Sequence, residues 1–164
     1  MSEIDERGRL VRALDIARDH VLSQVSTMSR ADLYRSRVPS NWTPLGLVRH
    51  LTLSDERYWF EVVVAGGPLD FWPAEDNGDW LIGMGTEPEQ VIDDYRRAIA
   101  NSNRIIAATA LGARPLRPEP GWSESGAFAD LMSILLHNIV ETSTHAGQLD
   151  VVRELADGRQ HVIL

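Results

Sequence analysis

Four stretches of this chain place apolar residues at three- and four-residue steps, and none alternates apolar with polar residues as a half-buried strand does. The first, about Ile4 to Met28, sets Val11, Leu14, Ala17, Val21, Val25 and Met28 on one side and fills the other with Arg and Asp. The second opens at Thr43-Pro44, a hydroxyl N-cap followed by proline at the first helical position. It carries Leu47, Leu51, Tyr58 and Val62 inward and stops at Gly66-Gly67-Pro68. The third begins near Thr86-Glu87-Pro88 and runs to Leu111, with Val91, Tyr95, Ala98, Ile105 and Thr109 inward. The last, about Ala127 to Ala156, is the longest, and Asp157-Gly158 closes it. The pattern predicts an all-α four-helix bundle, one domain over residues 1–164, with long loops between helices two and three and between three and four.

Composition narrows the chemistry. There are no cysteines, which excludes a disulfide scaffold, a thiolate zinc site, an iron–sulfur cluster and a Cys nucleophile. Sixteen Arg and no Lys stand against 24 acidic residues, a net charge of −8, which argues against generic binding to nucleic acid or anionic membranes. No apolar run approaches the ~20 residues that span a bilayer. Met1 to Arg9 lacks the apolar core of a signal peptide, so a cytoplasmic location is expected. The connector from Leu69 to Thr86 holds Gly, Asp, Phe71, Trp72 and Trp80 without a period, and loops of that length are more often functional than passive. Trp42, Trp80 and Trp122, one on each connector, either wall a pocket or pack beneath loops.

The fourth stripe carries an anomaly. It reads Leu131, Ile134, then Asn138, Glu141, His145, then Leu149 and Val152. At about 100° per residue the three polar members share the sector of the aliphatic ones. Polar groups in a bundle interior are costly unless they are paired or bind something. Glu141 and His145 are four apart, which puts their Cβ atoms roughly 5–6 Å from each other. That is close enough to share one cation, and equally close enough for a local hydrogen bond without one. His50 lies between Leu47 and Leu51, near the stripe of the second helix; if the two helices face each other, His50, Glu141 and His145 form a two-His, one-carboxylate metal set. His137 sits about 80° round from His145 and reads as a boundary residue or a group supporting the ligands. His20 and His161 are expected to face solvent. Arg49, Arg57 and Arg153 either pair with a substrate carboxylate or lie as solvated charges on helix faces.

Thr43-Pro44-Leu45-Gly46-Leu47-Val48-Arg49-His50-Leu51, followed by Glu56 and Trp59-Phe60, resembles the second-helix signature of the DinB-like superfamily. His137, Glu141, His145-Ala146-Gly147-Gln148, Asp150 and Arg153-Glu154 are similar to its last-helix signature. The closer resemblance is to the branch that includes mycothiol-dependent maleylpyruvate isomerase. It implies a bundle holding one divalent metal through His50, Glu141 and His145, with glutamate at 141 where many members have histidine. Gln148 stands where that branch often has histidine, so the surroundings of the ligands differ. The isomerase carries an additional C-terminal domain, so its substrate does not transfer. Dimers are common in the resembling family, and a homodimer is an expectation here.

Three protein ligands leave coordination positions open, as in a catalytic zinc site. Known activities in the resembling family activate a low-molecular-weight thiol at such a site, so the resemblance implies a divalent-metal-dependent thiol transferase or isomerase (zinc first, nickel or iron as alternatives). With no cysteine in the chain, the sulfur comes from a low-molecular-weight thiol: mycothiol, bacillithiol or glutathione. The alternatives are a non-catalytic metal-binding stress or interaction protein of the same fold, and non-haem iron oxygenase chemistry on the same ligand types. Histidine ligation predicts metal affinity that falls below roughly pH 6.

Overall fold

The computed structural model describes residues 3–119 and 126–161. Helix α1 (Glu3–Val25) is followed by a single turn, α2 (Arg30–Leu33), and by α3 (Pro44–His50). α3 continues without a break as a π-helix, Leu51–Val64. A 3₁₀ turn (Gly78–Trp80) interrupts the long connector before α4 (Pro88–Ala108) and α5 (Leu131–Asp157). α1 packs chiefly on α5, and α4 on the π segment. The expected all-α bundle of four long helices is present, with no strand among the described residues. No described helix is long and apolar enough to cross a membrane.

The ends of the helices follow local chemistry. Thr43 Oγ1 accepts from Gly46 N at 3.0 Å and Pro44 occupies the first turn, as the Thr-Pro pair predicts. α5 begins at Leu131 rather than near Ala127, because Asp130 and Ser133 close a reciprocal capping box. Gly158, at φ 75°, ends it in the left-handed conformation. On α4 the buried row is Val91, Ile92, Tyr95, Ala98, Ser102 and Ile106, so Ile106 takes the interior place expected of Ile105, and Thr109 is only half-buried.

The interior has two apolar clusters. One gathers Val21, Val25, Leu45, Leu47, Val48, Leu51, Tyr95 and Leu149. The other gathers Leu14, Trp59, Phe60, Val63, Ile106, Leu131, Ile134 and Leu135. Between them each long helix contributes buried polar groups: Arg18 from α1, Asp55 and Glu56 from the π segment, Ser102 from α4, Asn138 and Thr142 from α5. Burying such groups costs least where each has a partner. Arg18 meets Glu56 through two parallel bonds of 2.7 and 2.6 Å and also donates to Asp15 and Asn103 at 2.9 and 2.8 Å.

Candidate metal centre

His50 is the last residue of α3, and what surrounds it depends on two glycines. A Cβ at Gly46 would collide with the Trp80 carbonyl oxygen, and one at Gly78 would collide with the Pro73 ring. Without side chains there, the 3₁₀ turn closes against the start of α3. Arg49 Nε donates to the Gly78 carbonyl at 3.4 Å. The turn brings Asp79 Oδ2 to 2.6 Å from His50 Nδ1 and lays the Trp80 ring over the imidazole, 4.0 Å between centroids at 16°. A carboxylate on one ring nitrogen fixes tautomer and orientation and leaves Nε2 to act as a donor toward a cation. Burial pulls the His50 pKa below its ordinary value, the Asp79 bond opposes the shift, and nearby His145 adds to it.

His145, on α5, meets His50 edge-to-face at 5.0 Å and Trp80 at 5.5 Å between centroids. Its Nδ1 lies 2.9 Å from Gln148 Oε1, and its Nε2 lies 3.9 Å from Glu141 Oε2. The structure thus brings the three residues singled out in the sequence to one place, with Gln148 as the orienting neighbour of His145. They form an open arrangement. Among the described residues, the one group whose three donor atoms all lie within 4.8 Å of one another is His20, Asp150 and His161.

Beside this centre is a cavity of about 520 Å³, lined by His50, Asp55, Tyr58, Trp59, Trp72, His137 and Glu141 among others. Asp55 is a member that sequence reasoning missed. At about 100° per residue, positions 50 and 55 of an α-helix point some 140° apart. In a π-helix, bonded i to i+5, they return to the same side. Residues 50, 54, 55, 58 and 59 therefore line one cavity, whereas Arg49, Thr52, Leu53, Arg57 and Glu61 line a second one, also about 520 Å³, between the π segment and α4. Asp55 is buried and accepts from Thr142 Oγ1 at 3.2 Å; desolvation, with Glu56 and Glu141 nearby, pushes its pKa well above the ordinary carboxylate value. Tyr58 meets Trp72, and Trp59 meets His137, both edge-to-face.

Trp80 stacks on His50 and Trp42 lies 6.3 Å from it, whereas Trp59 and Trp72 wall the cavity; Trp122 lies outside the described residues. His137 supports the cavity wall and is pulled below its usual pKa by burial. Asn138 is interior, its Nδ2 donating to the Ile134 carbonyl at 2.9 Å. Arg57 lies over the Phe71 ring at 3.6 Å and pairs with Glu61 at 3.1 Å. Two expectations are corrected. Arg153 is no solvated charge: it is 1% exposed, binds Asp157, and ties α5 to the end of α1 through the Gln24 carbonyl and Thr27. His20 does not face solvent but contacts Asp150 at 2.7 Å.

No curated protein and no solved structure matches the chain. A family model, that of the mycothiol-S-transferases, matches residues 9–158, which takes in all but the first residues of α1, the other long helices, and all the residues of the centre and its cavity. By that match, and with the DinB-like bundle on which it rests, the chain belongs to the mycothiol-S-transferase family.

Proposed function

We propose that the protein is a cytoplasmic, divalent-metal-dependent transferase that moves a low-molecular-weight thiol, mycothiol first, onto a small electrophile. His50, Glu141 and His145 hold the metal in this reading. One observation carries it: each imidazole has its Nδ1 engaged by an acceptor side chain, Asp79 for His50 and Gln148 for His145, so that both present Nε2 as the free donor. The donor set, two imidazoles and a carboxylate, suits zinc, nickel or iron. The Glu141 side chain is 42% exposed, so torsion about its own bonds, without backbone movement, separates the open arrangement from ligation. When bound, a divalent cation supplies a Lewis acid that favours the thiolate form of a thiol at neutral pH.

The rest falls to the chain. With no cysteine of its own it accepts sulfur from a cosubstrate. Asp79 and Gln148 hold the two imidazoles in one tautomer, and Trp80 covers one face of His50. Tyr58, Trp59 and Trp72 give the acceptor an apolar wall, and Asp55 offers a buried carboxyl on that side of the helix.

Elemental analysis of untagged protein, before and after His145→Ala, tests the reading. The substitution is expected to remove about one equivalent of metal per chain. Thermal-shift measurements with mycothiol are expected to show stabilisation that disappears once the metal is stripped. Metal without a thiol response favours the non-catalytic metal-binding alternative, and unchanged metal content in His145→Ala overturns the ligand assignment.

A further inference from the structure

The residues His20 and Asp150 come from the seam between α1 and α5, and His161 comes from the segment beyond α5. Gly158, in its left-handed conformation, turns the chain back on itself. Arg159 N then donates to Asp157 Oδ1 at 3.1 Å, and Gln160 Nε2 to Glu154 Oε1 at 2.8 Å. These bonds bring the His161 ring over that of His20, with centroids 3.6 Å apart at 21°. His20 Nε2 lies 2.7 Å from Asp150 Oδ1, and one donor atom from each of the three residues falls within 4.8 Å of the other two.

We propose that His20, Asp150 and His161 form a second divalent-cation site, separate from the centre at His50. Asp150 follows His145 by five residues, so the two side chains leave α5 about 140° apart and cannot serve one ion. Three features make the cluster a built site. Its donors are two imidazoles and one carboxylate, a set that suits Zn²⁺, Ni²⁺ or Cu²⁺ and not the oxygen-only shells of Ca²⁺ or Mg²⁺. Its carboxylate is held from behind: the buried Gln24 side chain donates to Asp150 Oδ1 at 2.6 Å, and the Gln24 carbonyl is itself held by Arg153. Both bonds to Asp150 land on Oδ1, and the Gln24 bond still holds that oxygen once His20 Nε2 is given over to a cation. A cation there takes the place of the proton between His20 Nε2 and the carboxylate and joins three segments of chain. Its consequence is a clip that fastens the segment after Gly158 to the α1–α5 seam.

The test uses untagged, full-length protein stripped with a chelator and dialysed to equilibrium against Zn²⁺. Wild type is expected to bind about one equivalent more than either His161→Ala or Asp150→Asn. The same difference is expected in a His50→Ala background, which separates this site from the one proposed above. His161 lies beyond the last helix, so the helical circular-dichroism signal of His161→Ala should match wild type and keep folding out of the comparison. Trypsin cleavage after the exposed Arg159, read by mass, gives a second measure. At free zinc of ten times the dissociation constant the clip should slow this cleavage about tenfold in wild type and not at all in His161→Ala. Equal zinc stoichiometry in the three proteins, or cleavage that zinc does not slow, overturns the proposal.

Discussion

Asp55 and Glu56 are neighbours on the same helix, both acidic and both buried, yet their surroundings are opposite. Glu56 points into the bundle, where Arg18 clasps both carboxylate oxygens, and Arg18 in turn is held by Asp15 and Asn103. Asp55 points to the cavity beside His50 and has one hydroxyl bond, from Thr142, with no cation paired to it among the described residues. Saturation is the mark of a structural pair, because a buried charge that had another task would leave its partner unsatisfied. An interior carboxyl left without a cation, in a cavity shared with two ligand candidates, is the mark of a site, where burial is tolerated for what the group does to a bound molecule. One residue step on a π-helix thus separates the part of the polar layer that is paired inside the bundle from the part that lines the cavity beside His50.

Removing Arg18 should break the comparison most severely. Arg18→Ala strands Glu56 as an uncompensated interior charge, and the expected loss is about 3–5 kcal/mol of unfolding free energy in urea. The double substitution Arg18→Met with Glu56→Leu should recover most of that loss, since a buried pair and an apolar pair of similar volume are nearly equivalent. If Arg18→Ala unfolds at the wild-type midpoint, the pair is not a structural anchor.

A smaller effect is expected where a loop, not a helix, supplies the partner. Gly46→Ala forces the 3₁₀ turn away from α3, and with it Asp79 from His50. Overpacking of this kind costs about 1–3 kcal/mol. The loss of the orienting carboxylate should weaken metal binding about 10–100-fold. Asp79→Asn, which leaves the turn in place, should weaken metal binding while leaving the urea midpoint close to wild type. A Gly46→Ala protein with unaltered metal affinity would show that Asp79 does not position His50.

Much of this was legible before any coordinates. Helix number and order and the Thr43-Pro44 start follow from apolar period and capping chemistry, which act within a few residues, whereas the pairing of His50 with His145 rests on the resemblance and on the condition that their helices face each other. What escaped was set by geometry that an α-helical period does not contain. The π register beyond His50 carries Asp55 to the cavity side, and a wheel drawn at α spacing sends it elsewhere. Asp79 lies 29 residues from His50, in a connector without period, and only the close approach over Gly46 and Gly78 joins them. The burial of Arg18 and Arg153 is not written in any local pattern, because their partners, Glu56 in one case and the end of α1 in the other, are tertiary.

Asp55→Asn should give the smallest change, and one that sharpens the comparison by its pH dependence. Burial raises the Asp55 pKa well above the usual carboxylate value. In the unfolded chain the same group ionises near pH 3.9. Between those two values the folded protein holds a proton that the unfolded chain has released, so the contribution of Asp55 to stability is fully present below pH 3.9 and is lost as pH rises through the window. Asn keeps an oxygen for Thr142 and has nothing to titrate. Metal-free Asp55→Asn should therefore match wild type near pH 4 and melt a few degrees above it at neutral pH, as followed by circular dichroism in the presence of chelator. Thr142→Val removes the bond that favours the ionised form and should extend the fall in stability to higher pH. Parallel pH profiles for wild type and Asp55→Asn would mean that Asp55 is ionised and compensated like its neighbour, and the two faces of the helix would no longer differ in kind.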